Sequence, residues 1–190
     1  MTQLILGLVL FLGIHSAAIV APAGRERAAA RLGEWGWKGL YAAVSLIGLV
    51  LIVRGYGAAR LDPTWLYVPP GWLRHLGMLL LVPVFPLLLA AYLPGRIRAR
   101  LRHPMLVAVK AWALAHLLMN GALADVVLFG GFLAWAVADR VSLRRRPARP
   151  SPSLPASAWN DAIAVVAGLG LYLAFVAWLH AWLIGVPVVA

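Results

Sequence analysis

Residues Trp37–Val53, WKGLYAAVSLIGLVLIV, run for seventeen positions with a single charge, Lys38, at the second. A run this long and apolar approaches the ~20 residues an α-helix needs to cross ~30 Å of hydrocarbon. Five further segments read the same way: Leu4–Ala21, Leu76–Tyr92, Pro104–Asn120, Gly121–Ala138 and Asn160–Val188. Over its 190 residues the chain is 63% hydrophobic and 12% charged, with a mean hydropathy of +0.87. Soluble domains sit near half apolar and a quarter charged, so these values mark a membrane protein. The sequence predicts an all-α fold: a polytopic integral membrane helical bundle of six transmembrane helices, one domain over residues 1–190. Strands are not expected, because open sheet edges cannot face lipid.

Outward from these segments, the punctuation is informative. Pro83 and Pro86 fall inside the third and should kink it. The fourth and fifth nearly touch, so Asn120-Gly121 must form a tight turn. The Arg/Ala-rich stretch Pro22–Glu34 suits a short interfacial helix, and Arg144–Pro155, RRRPARPSPSLP, reads as a disordered or extended basic linker. The start, MTQ, lacks a positive n-region, and Arg25, Arg27 and Arg31 closely follow the first apolar run. That run therefore reads as a retained span and not as a cleaved signal peptide.

The net charge of +11 comes mostly from short segments between the spans, where basic residues meet anionic headgroups and not nucleic acid. The segments after the first, third and fifth spans hold thirteen Arg and Lys residues; the opposite face holds Arg54, Arg60 and Arg74. By the positive-inside rule, both termini are expected outside the cytoplasm.

No cysteine is present, which removes disulfides, thiolate iron–sulfur ligation and covalent c-type haem. No phosphate-binding loop, dinucleotide fingerprint or hydrolase elbow occurs. The six acidic residues, Glu26, Glu34, Asp62, Asp125, Asp139 and Asp161, all lie at or near span ends, which speaks against a mid-membrane proton relay or a di-iron site.

The histidines carry more. His75, His103 and His180 fall near span ends, where water or headgroups satisfy an imidazole. His15 and His116 each fall roughly 18 Å into their spans, from opposite faces, so both are expected near the midplane. Polar residues at that depth are functional candidates by default, with an interhelical hydrogen bond as the alternative. One helical face holds Gly7, Phe11 and His15; another holds Ala108, Trp112 and His116. Each reads small, aromatic, histidine, and a small residue leaves room for a flat macrocycle. This is compatible with a noncovalently bound haem, with His15 and His116 as its iron ligands. Lys110 either snorkels to the headgroups or pairs with a haem propionate. Met119 is the substitute ligand should His116 not serve.

Over nearly the whole chain to about Arg146, the sequence resembles the NnrU family of bacterial inner-membrane proteins. The matching stretches are LGLVLFLGIHS, LGEWGWKGLYAAVSLIGLVLIVRGYG, LPGRIRARLRHPMLVAVKAWALAHLLMNG and LADVVLFGGFLAWAVADRVSLRRR. The resemblance implies a multi-pass inner-membrane location and a role in denitrification, in nitrite reductase expression or nitric oxide metabolism. The family is similar to 15-cis-zeta-carotene isomerase, a membrane enzyme with haem b. Its RHP and W-C-L-A-H elements match Arg102-His103-Pro104 and Trp112–His116, with Ala113 where the isomerase has cysteine. A ligand switch through cysteine is therefore absent here. The RHPM element also resembles isoprenylcysteine-type methyltransferases, without their downstream cofactor pattern. Three functions stay open: a haem protein with a redox or gas-linked role, a haem-dependent isomerase of a membrane-soluble polyene, and a cofactor-free assembly or transport factor. The partners expected are the lipid bilayer and a lipophilic or small gaseous ligand.

Overall fold

The computed structural model describes residues 1–145 and 153–188. The helices are α1 (Thr2–His15), α2 (Ala17–Val20), α3 (Pro22–Ala59), α4 (Trp72–Leu81), α5 (Val84–Ala90), α6 (Arg96–Leu101), α7 (Pro104–Met119), α8 (Leu123–Ser142), α9 (Asn160–Ala174) and α10 (His180–Ile184). One π-helical stretch, Phe175–Leu179, joins the last two. Among the described residues there is no strand, only an isolated bridge between Trp65 and Ala122. The described residues are all-α, as the apolar run lengths predict. Among the described residues, three helical runs are long and apolar enough to cross a membrane: Pro22–Ala59, Trp72–Ala90 and Asn160–Ile184.

Local chemistry sets where the helices depart from the predicted spans. The first span is interrupted after His15, because the Ser16 hydroxyl donates to the Leu12 carbonyl at 2.6 Å and competes with the backbone ladder. The expected interfacial helix and the second span are joined as α3, which bends at Gly33, where φ is 71° and ψ is 169°. Only glycine adopts that conformation without strain. In the third span Pro83 donates no backbone N–H, and the helix restarts as α5. The sixth ends at Ile184, four residues before its expected limit, with Gly185 in the left-handed conformation that closes a helix. Most of the basic linker Arg144–Pro155 lies outside the described residues.

The chain divides into two compact units. In the first, α1 lies along α3, with α8 against both. The α1–α3 crossing is lined by Gly7, Gly48 and Gly55. A Cβ on Gly7 would stand 2.6 Å from the Ile52 nitrogen, one on Gly48 would stand 2.8 Å from the Phe11 nitrogen, and one on Gly55 would collide with the backbone of Leu4. Where lipid tails are as apolar as leucine, close backbone approach through small residues supplies the dispersion energy that holds helices together. Asp125 fastens α8. Its carboxylate accepts the Ala122 backbone N–H at 3.0 Å and the Tyr56 hydroxyl at 2.6 Å, with only 6% of the residue exposed. The Asn120-Gly121 turn is stitched to the loop after α3: Leu66 N–H donates to Gly121 O at 2.9 Å, Leu123 N–H to Thr64 O at 2.7 Å, and the Tyr67 hydroxyl to Asn120 O at 2.7 Å.

In the second unit α7 packs on α4 and α5, and α5 packs on α9. Asp161, at the start of α9, caps a different helix: it accepts the N–H groups of Arg96 and Ile97 at 2.7 and 3.1 Å. This satisfies donors that the first turn of α6 cannot. Asn160 beside it donates to the carbonyls of Pro94 and Pro155 at 2.8 and 3.0 Å. Between α6 and α7 the chain makes a tight turn, His103 N–H to Leu101 O at 2.7 Å, with Arg102 at φ 61°. Pro104 then opens α7, the first helical position to which its fixed φ suits it.

Candidate functional site

His15 is the last residue of α1, and the local fold determines how its ring is held. Its Nδ1 lies 2.7 Å from the carbonyl of Phe11, one turn back, so Nδ1 carries the proton and donates. The ring's lone pair is then on Nε2, which takes part in no hydrogen bond among the described residues. A backbone carbonyl on Nδ1–H is the arrangement that fixes tautomer and orientation in metal-ligating histidines. Three aromatic rings surround the imidazole. Phe11 stacks on it at 4.3 Å, Tyr41 of α3 is tilted at 5.1 Å, and Trp135 of α8 stands edge to face at 6.0 Å. Phe132, one turn before Trp135, reaches Phe11 at 5.8 Å. Two polar atoms of this unit, Trp135 Nε1 and Ser45 Oγ, are buried with no hydrogen-bond partner.

His116, in the second unit, shares the Nδ1 arrangement. Its Nδ1 lies 2.8 Å from the Trp112 carbonyl, again one turn back, and the Trp112 ring flanks it at 5.3 Å. In both helices an aromatic residue four positions earlier supplies the carbonyl that orients the imidazole and a ring beside it. Ala108, Ala113 and Ala115 of α7 are fully buried, and Lys110 is partly buried on the same helix. Met119 is turned onto α4, its Cγ and Sδ seated where Gly77 has no side chain. His180 directs Nδ1 to the Val186 carbonyl at 2.7 Å and so ties down the turn after Gly185.

One expectation needs correction. The space left by the missing side chain of Gly7 is filled by the α3 backbone at Gly48 and Ile52, so this glycine serves helix crossing and leaves no room for a macrocycle. Sequence reading also misses Tyr41, Ser45 and Trp135. A partial signal was available: Tyr41, Ser45, Gly48, Ile52 and Gly55 repeat at four and three residues along one face of α3.

Among the described residues, no three of His, Asp and Glu gather into a metal-binding group. An iron here would have to bring most of its own ligands, as a porphyrin does. An oriented imidazole with an available Nε2 between aromatic rings suits one ligand position of such a group.

These features define an all-helical protein, rich in membrane-length apolar helices, with two similarly constructed histidines. The chain belongs to the NnrU family, which it matches over residues 3–188. No curated protein and no solved structure matches it.

Proposed function

We propose that this NnrU-family chain is a multi-pass bacterial inner-membrane protein that binds haem b, with His15 and His116 as its iron-ligating imidazoles. The observation that carries the reading is the shared construction of the two histidines: each Nδ1 is tied to the carbonyl of an aromatic residue one turn earlier. A backbone carbonyl on Nδ1–H is the contact that orients metal-ligating histidines. Bound haem b would supply an iron centre for one-electron chemistry and small gaseous ligands. The chain's own residues would hold and orient it: Phe11 and Trp112 flank the two imidazoles, and Lys110 would pair with a propionate. The apolar surroundings exclude water and thereby strengthen these polar contacts. With the family's link to denitrification, the role is redox or gas-linked, connected to nitrite or nitric oxide reduction.

Six spans with both termini in the periplasm complete the proposal. α7 would be the shortest, at about 24 Å of helix for residues 104–119, with residues 2–20 and 72–90 at about 28 Å each, slightly below typical hydrocarbon thickness. The test is the pyridine haemochrome of the protein purified in mild detergent. A haem b spectrum near one equivalent per chain supports the proposal; a protein free of haem after expression with excess haem supply rejects it.

A further inference from the structure

We infer that the connection after α3, Leu61–Pro69, is a strap seated where the headgroups of the outer leaflet meet the acyl chains; the inference rests on the multi-pass reading above and is independent of haem. This connection has two sides. The inner one is polar and fixed. There the Thr64 carbonyl accepts the Leu123 N–H at 2.7 Å, and the N–H groups of Leu66 and Tyr67 donate to Gly121 O at 2.9 and 3.2 Å. The Tyr67 hydroxyl donates to Asn120 O at 2.7 Å, and a Cβ on Gly121 would collide with the Tyr67 carbonyl, so the strap lies directly on the turn before α8. The outer side is apolar. Leu61 is 88% and Val68 81% exposed, and Trp65 and Leu66 are each more than half exposed. No residue from Pro63 to Pro69 carries a charge.

A loop in water rarely holds large apolar side chains outward on a backbone pinned in place, and such a patch marks a membrane or protein contact. The composition selects lipid. Tryptophan and tyrosine concentrate at the lipid–water boundary, where an apolar ring and a polar atom are both accommodated. A surface for a soluble protein would carry a polar rim, whereas here the Tyr67 hydroxyl is turned inward and the flanking charges, Arg60 and Asp62, lie only at the α3 end. The backbone suits the same place. Pro63 and Pro69 have no N–H, and those of Leu61, Leu66 and Tyr67 are already bonded, so few donors on the strap call for water. Irregular backbone is excluded from lipid-facing hydrocarbon, which sets the strap at its edge. That is also the level of the helix ends: α3, of membrane-spanning length, stops at Ala59, and α8 starts at Leu123 against the strap.

The chain has no cysteine, so a single one can be introduced and labelled with bimane. Leu61→Cys and Val68→Cys report on the strap, and Ile47→Cys, at an exposed position of α3, reports on the hydrocarbon. Each labelled full-length protein is placed in nanodiscs of phosphatidylcholine and phosphatidylglycerol. Quenching by iodide in the water is then compared with quenching by lipids that carry a nitroxide near the headgroup or deep in the acyl chain. Both strap labels should be shielded from iodide and quenched most by the shallow nitroxide, and the Ile47 label most by the deep one. Strap labels open to iodide and untouched by either nitroxide would put the strap in water and overturn the inference, while an Ile47 label quenched by lipid would leave the membrane reading standing. Strap labels shielded from iodide and from both nitroxides would mean that protein, a second copy included, covers the strap, and would overturn the inference equally. An Ile47 label open to iodide would sink the multi-pass reading as well.

Discussion

Tyr56 and Asp125 stand 69 residues apart in the chain, and the hydroxyl of one donates to the carboxylate of the other at 2.6 Å. This bond joins the end of α3 to the first turn of α8, where the same carboxylate accepts the Ala122 N–H. Tyr56→Phe removes one donor from a buried acidic group while keeping the ring that meets Phe129 at 6.2 Å. The expected loss is about 1–3 kcal/mol of stability. Thermal unfolding in detergent measures it, and an unchanged midpoint would mean that the Asp125 carboxylate gains nothing from Tyr56.

The glycines of α1 and α3 should separate by position. Gly48→Ala puts a methyl group 2.8 Å from the Phe11 nitrogen, so helices must part, at a cost of about 1–3 kcal/mol. Gly13, on α1, has nothing within 4 Å of its would-be Cβ. Gly13→Ala should therefore raise stability by about 0.5–1 kcal/mol through helix propensity alone. Size-exclusion profiles after graded heating give the two signs directly.

Arg102 has a positive φ of 61°, which costs a side-chain-bearing residue and not glycine. Arg102→Gly should hold or raise stability, by about 1 kcal/mol at most, and the melting temperature with it. Arg102→Val, at the same backbone angles, should lower it. A lower melting temperature in the glycine variant would show that the arginine side chain contributes more than the turn costs.

Lys110→Met keeps the stem of the side chain and removes the charge from α7. If Lys110 pairs with a carboxylate of the cofactor, the buried anion loses its partner and haem retention weakens. Equal haem content and midpoint potential in parent and variant would mean that the lysine snorkels to the headgroups.

What was legible in the sequence follows the range of the interactions involved. Apolar run lengths gave the helices, Pro83 marked the break between α4 and α5, and Pro104 marked the start of α7, because each acts through its own backbone. Asn120-Gly121 was readable as a turn, but not its stitching to Thr64, Leu66 and Tyr67, which depends on residues more than fifty positions away. The Ser16 interruption went unseen because a serine in a helix only sometimes returns its hydroxyl to the preceding turn. Spacing placed Phe11 beside His15 and Trp112 beside His116, and the ring contacts agree. It could not place Trp135, since no local period links α8 to α1. Gly7 was misassigned for the same reason: a small residue signals close approach and does not say by what.

The absorption spectrum of the protein beside its single histidine variants tests the central claim most directly. The parent should show a Soret band and sharp visible bands of six-coordinate, low-spin haem b, the state produced by two imidazole ligands. His15→Ala and His116→Ala should each shift that spectrum away from low spin or lose the haem. His75→Ala, His103→Ala and His180→Ala should leave it intact. An unchanged low-spin spectrum in both the His15 and the His116 variants would contradict the account.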